Sequence, residues 1–402
     1  MTHLDLVLLG SGGLAVAVAA LSGRLRRLPV SEPLLALLTG VLLGPAVLDV
    51  LRTGTVTQAP AAFHEGSRLL LAVSVMAVAL RYPLPRVREV AGPALVLLGV
   101  VMPATALLGA GVTAVALGVS LPVALLLGAA LSPTDPVLAS STVTGAPAEA
   151  ALPSRLRRML STESGANDGL ALPLVLVAVA VAGGGSAADV LRESLWQVLG
   201  AVLLGVLLGA LCGRAVRAGE AHGSTEPGPV LLLTLALALG TLGAAGLLRT
   251  DGVLAVFVAG LAFNAVVTRG DRSTEVQVDE AVNRFLVLPL FLLLGAALPW
   301  QEWAELSWRG PVLVVGMLLL RRLPAVLLAR RPLRLSWLDA TYLGWFGPVG
   351  VSAVFYLSLE AERLALDPVV LAAGTLVVVG STVAHGVTAA PGVAAYARAA
   401  AR

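Results

Sequence analysis

The sequence has no lysine, and all 27 of its basic residues are arginine. It is poor in charge of either sign, with 13% charged residues, and poor in aromatics at 4%. A soluble domain carries roughly a quarter charged residues, so a globular enzyme is a poor fit to this composition. The arginines are scattered among short loops, and no basic block stands beside stacking aromatics, which argues against nucleic acid as a partner. A single cysteine, Cys212, excludes an internal disulfide. His3, His64 and His222 fall in ends or loops, and His385 is alone in an apolar run, so no metal centre and no cofactor are expected. A cleavable signal peptide needs positive charge ahead of its apolar run. Met1 to Asp5 has no arginine, and Arg24, Arg26 and Arg27 follow the run Leu6 to Ala20. That order predicts a retained helix entering with its N-terminus outside.

What is abundant is apolar length. The chain has 402 residues, is 57% hydrophobic and has a mean hydropathy of +0.92. Crossing a bilayer core of about 30 Å takes about 20 helical residues. Thirteen such spans are expected, at about 4–22, 31–50, 66–82, 90–117, 121–144, 155–182, 189–216, 228–248, 251–269, 281–299, 310–329, 337–359 and 367–389. The predicted fold class is an all-α polytopic membrane protein forming one transporter domain over 1–402. No soluble domain is expected, so function is expected inside the membrane. Nineteen arginines lie in loops after odd-numbered spans or at the C-terminus, and six in loops after even-numbered spans. By the positive-inside rule the odd loops are cytoplasmic. This predicts a multi-pass protein of the inner (cell) membrane with its N-terminus outside and its C-terminus cytoplasmic.

Two spans cannot run straight. In the fifth, Pro133 and Pro136 each remove a backbone donor and disfavour helix just before them. In the twelfth, Gly344, Gly347, Pro348 and Gly350 interrupt in the same way. With the span 189–216 as a linker, repeats at about 4–182 and 228–389 each hold six helices, and the broken helix is fifth in both. Seven helices separate the two, so the repeats are inverted. Interrupted helices at matching positions point to a transporter's substrate site; two unrelated kinks are the plainer alternative.

Charged side chains cost about 2.5–3.5 kcal/mol each at a bilayer centre on insertion scales. Five are expected there: Asp135, Glu163, Asp168, Arg321 and Arg322. Asp5, Asp49, Asp251, Asp339 and Asp367 fall at predicted helix ends, where capping or water accounts for them. In the sixth span, helical spacing sets Glu163 over Asn167 and Ser164 over Asp168. A dehydrated hard cation needs an all-oxygen shell, and an unpaired carboxylate can instead take a proton. A polar seam between helices would explain Asn167 and Ser164, but not two acids. Asp135 before Pro136 reads as a helix cap facing the positive end of a half-helix, with direct ion ligation as the alternative. Thr134 offers a carbonyl on unwound backbone. Arg321 and Arg322 point about 100° apart on a helix, so at most one can reach a given carboxylate. Glu163 is the best candidate partner, which would leave Asp168 as the working acid; the alternative is that both arginines snorkel to the interface.

On these residues the chain resembles the monovalent cation:proton antiporter family, the branch of NhaP-type sodium/proton antiporters and animal sodium/proton exchangers. The matching pieces are Ser132 to Val137, the Glu163-Ser164-x-x-Asn167-Asp168-Gly169 run, Phe291 to Pro299, Arg321 to Pro324, Gly344 to Pro348, and Ser381 to Thr388. The resemblance implies a homodimeric, thirteen-helix inverted-repeat fold whose mobile core carries the ion past a fixed dimerisation domain. It implies Asp168 as ion and proton carrier, Ser164 and the Thr134 carbonyl as ligands, and Glu163, Asn167 and a helix-11 arginine as a supporting network. Many members read Gly-Pro-Arg-Gly where this chain has Val349, so a balancing charge must come from elsewhere, with Arg321 and Arg322 as candidates, or be absent.

The function expected is secondary active exchange of Na+ for H+, with K+/H+ exchange as the alternative. A passive channel would need a continuous polar stripe, and an intramembrane enzyme a nucleophile with a base or a metal triad; the sequence has neither. Asn167 cannot titrate, so exchange is expected to be electroneutral. The topology is checked with single cysteines at Ser224 and Glu305 in a Cys212→Ser background. They are expected to react with an impermeant reagent from opposite sides of the membrane; labelling of both from one side would sink the thirteen-span arrangement.

Overall fold

In a bilayer every backbone N–H and C=O needs a partner within the protein, which leaves helices and closed barrels. The computed structural model of the protein describes residues 3–25, 30–143, 145–224, 232–267, 273–364 and 366–401, and they form helices and turns with no strand among them. Arg26, Arg27, Arg269, Arg272 and Arg402, used in the orientation count, lie outside the described residues, as do positions 228–231 at the start of the expected eighth span. Six described helices are long and apolar enough to cross a membrane, or seven if the bent pair Phe285–Ala296 and Trp300–Leu306 is one span. The chain is a multi-pass membrane protein.

Local signals open many of the helices. Asp251 accepts the Leu254 N–H at 2.9 Å and caps Gly252–Val266. Asp367 accepts the Val369 N–H at 2.9 Å ahead of Pro368–Ala400. Ser336 and Asp339 form a reciprocal capping box at the start of Trp337–Trp345. Each satisfies donors that helix geometry leaves without partners.

The helix Ala187–Ala221 shows two faces. Leu191, Leu195, Trp196, Leu199 and Leu203 are exposed, a surface suited to lipid. Its opposite face packs on Gly252–Val266 so closely that a Cβ at Gly209 would stand 2.2 Å from the Ala259 carbonyl oxygen. Small residues that admit such approach are how membrane helices gain packing where no water drives them together.

Three departures from helix position the site. Leu121–Ala130 stops before Pro133, and helix resumes at Pro136–Val143. Trp337–Trp345 stops before Gly347-Pro348, and helix resumes at Val351–Arg363. The two unwound stretches touch: the Asp135 N–H donates to the Pro348 carbonyl at 2.9 Å. Between Arg309–Leu320 and Leu323–Leu328 the chain bends at Arg321 and Arg322, because Pro324 has no N–H to donate back to the Leu320 carbonyl and its ring crowds that group. Ser154–Leu170, carrying Glu163, Ser164, Asn167 and Asp168, packs beside Pro136–Val143, Pro60–Arg81 and Gly252–Val266.

Candidate functional site

Each interrupted helix has two loose ends, one of N–H groups and one of C=O groups. Two side chains bind all four. The Asp135 Oδ1 accepts the N–H groups of Val137 (2.8 Å) and Leu138 (2.9 Å), at the start of Pro136–Val143. Its Oδ2 accepts the N–H of Val351, the first residue of the other resumed half. One carboxylate therefore caps two helix N-termini, where the macrodipole favours negative charge. Arg321 answers it at the opposite ends. Its Nη1 donates to the Leu131 carbonyl and lies within 3.3 Å and 3.4 Å of the Ser132 and Pro133 carbonyls. Its Nη2 donates to the Gly347 carbonyl at 2.6 Å. Val349, where the resemblance led to an expectation of arginine, lines a small cavity with Arg321, Ser381 and His385. The guanidinium at this crossing thus comes from the bend before Pro324.

Two glycines make room. A Cβ at Gly350 would stand 2.5 Å from Asp135 Oδ2, and one at Gly347 would stand 2.3 Å from Arg322 Cδ. Any side chain at these points would push an ionic partner away.

Arg322 turns the other way. Its Nη1 and Nη2 donate to Glu163 Oε1 and Oε2 at 2.6 Å and 2.8 Å, a bidentate pair buried on both sides. Its Nε reaches the Leu343 carbonyl at 3.3 Å. Both arginines are 3% exposed, so neither snorkels to the interface.

Around Asp168 the oxygens are less committed. The Asn167 amide donates to Thr134 Oγ1 at 2.7 Å, and Thr134 Oγ1 lies 3.1 Å from Ser164 Oγ. Both Asp168 carboxylate oxygens and the Asn167 Oδ1 are buried without a hydrogen-bond partner. Ser352 Oγ lies beside the Asp168 carboxylate but outside hydrogen-bonding geometry. Tyr356 fixes the backbone here by donating its hydroxyl to the Asp168 carbonyl oxygen. Of five charged groups at the crossing, Asp135 answers helix ends, Arg321 answers carbonyls, and Glu163 and Arg322 answer each other. Asp168 alone among them has neither a countercharge nor a well-formed hydrogen bond on its carboxylate, with the Ser352 hydroxyl standing beside it.

Sequence reasoning passed over three residues of the same helix. Ser352, Tyr356 and Glu360 follow one another at intervals of four on Val351–Arg363, and all are 0% exposed. Glu360 fell just beyond the expected span 337–359, and the signal that could have found it is that four-residue spacing. His385 bridges helices: its Nε2 lies 2.9 Å from the Trp345 carbonyl and its Nδ1 3.1 Å from Ser381 Oγ, which also accepts the Val349 N–H at 2.8 Å. Among the described residues no group of three His, Cys, Asp or Glu could hold a metal.

The buried pair makes a quantitative prediction. Glu163→Gln leaves the Arg322 charge buried without its partner and is expected to cost about 3–5 kcal/mol of stability. Combined with Arg322→Gln the loss should fall well short of the sum, and combination with Arg321→Gln should show the smaller coupling, since only Arg322 bonds Glu163 directly. Double-mutant cycles in detergent thermal stability check both; additivity with Arg322 would mean the pair contributes nothing.

Residues 13–395 match the family model described as sodium/hydrogen exchanger, transmembrane. The chain is 32% identical over 355 residues to Na(+)/H(+) antiporter 2 of Zygosaccharomyces rouxii, covering 84% of this chain and 43% of that protein. It is 30% identical over 357 residues to the probable Na(+)/H(+) antiporter C3A11.09 of Schizosaccharomyces pombe, covering 86% and 47%. The chain therefore spans less than half the length of these two relatives. In three dimensions it is similar to the sodium proton antiporter MjNhaP1 from Methanocaldococcus jannaschii, with a TM-score of 0.79, 19% identity and 99% of each chain covered. That likeness extends the fold over the whole chain, and with a family model matched from residue 13 to residue 395 the protein belongs to the sodium/hydrogen exchanger family.

Proposed function

We propose that this protein is a secondary antiporter that exchanges Na+ for H+ across the cell membrane by competition for Asp168. The observation that carries the reading is the Asp168 carboxylate, wholly buried, with both oxygens free of partners while the neighbouring charges are engaged. Relatives named as Na(+)/H(+) antiporters support it. The ion would be held by Asp168, with Ser164 and Thr134 as neutral oxygen ligands. Asn167 ties Thr134 in place, and its unpartnered Oδ1 is a further oxygen within this group.

The mechanism needs only mutual exclusion. A bare carboxylate in a low-dielectric interior is costly, so the core changes its access when a proton or a cation neutralises Asp168, and stalls when neither does. Asp135 and Arg321 keep the two interrupted helices together during that movement. In this reading the chain makes thirteen crossings, built as inverted repeats at about 4–182 and 228–389 around the helix Ala187–Ala221. Its N-terminus is outside and its C-terminus cytoplasmic, and it works as a homodimer.

Asp168→Asn is expected to reduce cation-dependent proton flux to the protein-free background, with folding and insertion unchanged. Asp135→Asn should instead lower thermal stability, because a neutral amide caps two helix N-termini less well. The check is sodium-induced collapse of a pH gradient in proteoliposomes, beside a thermal-shift measurement; substantial exchange by Asp168→Asn would assign the wrong carrier.

Stoichiometry follows from the same assignments. Glu163 is held by Arg322, Asp135 by three backbone N–H groups, and Asn167 cannot titrate, which leaves one proton for one cation. Exchange should respond to the pH and sodium gradients and ignore a membrane potential, which acts on each net charge moved at about 2.3 kcal/mol per 100 mV. A shift of the exchange equilibrium under a valinomycin-set potential would require a second proton carrier.

A further inference from the structure

Beyond the crossing, one buried acid among the described residues stands without any partner. Glu360 is 0% exposed, and neither carboxylate oxygen has a hydrogen bond or an ionic partner. A charged residue within a membrane domain is a functional candidate when no structural partner accounts for it. Every other buried acid of the described site region has such an account: Asp135 and Asp251 cap helices, Glu163 holds Arg322, and Asp168 is the proposed carrier.

Its position is specific. Ser352, Tyr356 and Glu360 share one face of Val351–Arg363, since residues four apart stack on a helix. Ser352 lies beside the Asp168 carboxylate, and Tyr356 donates to the Asp168 carbonyl oxygen. Glu360 lies two turns beyond Ser352, about 12 Å along the axis at 1.5 Å per residue. The helix ends three residues later at Arg363, whose guanidinium pairs with Glu193 at 3.0 Å on a partly exposed surface. Along this helix Glu360 therefore stands between the level of Asp168 and the helix end at Arg363, about one turn short of that end.

Charges on the surrounding helices leave it alone. Pro60–Arg81 carries His64, which stacks on Phe355, the paired Glu65 and Arg68, and Arg81, which donates to Ser161. Pro368–Ala400 carries His385, Tyr396 and Arg398, with Asp367 at its cap. Leu121–Ala130 and Leu172–Gly183 carry no charge. Glu362 and Arg363 are on its own helix, and Glu360 pairs with neither. No hydroxyl or carbonyl within hydrogen-bonding distance completes a shell for a dehydrated cation, so its chemistry suits a proton.

We propose that Glu360 is a proton-relay carboxyl that loads and unloads Asp168 from the membrane face at which Val351–Arg363 ends. The proposal rests on Asp168 being the carrier. In each turnover the proton that leaves Glu360 passes to Asp168 through water admitted between them, and Glu360 is reprotonated from that face. The relay changes the rate of exchange and leaves its stoichiometry at one proton per cation.

The test uses the full-length protein in oriented proteoliposomes, with sodium as the only transported cation. Glu360→Gln keeps the size of the side chain and removes the titratable proton. It should lower the maximal exchange rate at least about tenfold when the face beside Glu360 is alkaline, a conservative share of what proton transfer groups contribute. The loss should shrink as that face is acidified, half-saturating sodium should stay unchanged, and Glu360→Asp should recover most of the rate. A purely structural role would instead give a loss independent of pH and a lowered melting temperature. Wild-type rates in Glu360→Gln at every pH, or that pH-independent loss, would overturn the relay. Exchange by Asp168→Asn would instead overturn the carrier assignment, so the two failures are separable. If Glu360→Gln does not insert, the native protein decides through dicyclohexylcarbodiimide, an apolar reagent for protonated carboxyls. Peptide mass spectrometry should find it on Glu360, with exchange slowed in proportion in an analysis that counts Asp168 labelling separately. Absence of labelling, or labelling of Glu360 without slowing, would overturn the proposal.

Discussion

An interrupted helix inside a membrane exposes backbone groups that lipid cannot satisfy, each costing several kcal/mol if left alone. This protein interrupts two, and most of its site architecture follows from how the resulting ends are satisfied. Asp135 accepts N–H groups from the starts of both resumed halves, and Arg321 donates to carbonyls at the stops of both first halves. The two helix breaks hold each other open through one acid and one base. Glycine at 347 and 350 is part of the same solution, since a Cβ at either would stand against Arg322 or Asp135.

Once those two residues are committed to backbone, the remaining charges sort themselves. Arg322 is directed away from the carbonyls and meets Glu163 in a two-point bond. A pair buried in this way contributes geometry more than net stability, because desolvating both ions offsets much of their attraction. Here it holds Glu163 on the helix that also carries Asp168. The acid four residues above Asn167 is occupied, while the acid next to Asn167 is left with its oxygens unused. Two carboxylates on one helix thus differ in their partners.

The absence of an arginine at Val349, which the resemblance would have placed there, is accommodated at the same crossing. A positive charge is needed where four carbonyls converge, but its origin in the chain is immaterial to the field it produces. Arg321 reaches that point from the bend imposed by Pro324. With valine at 349, the positive charge at this crossing is the Arg321 guanidinium.

Several features were legible along the chain because their causes are local or periodic. Apolar length marked the membrane helices, and the prolines and glycines at 133, 136, 347, 348 and 350 marked both breaks. Asp135 ahead of Pro136 marked a cap, since a cap involves only the next few N–H groups. The motif around Asp168 carried the family resemblance. What the sequence by itself determined was that the chain is helical and apolar enough to cross a membrane several times, and where two of its helices break. Only the tertiary structure decided which partners they meet: that Asp135 also caps a helix 216 residues away, that Arg322 and not Arg321 holds Glu163, and that Glu360 is buried with no partner. Those outcomes depend on rotations of about 100° per residue and on contacts between distant helices, to which hydropathy and spacing within one segment are blind.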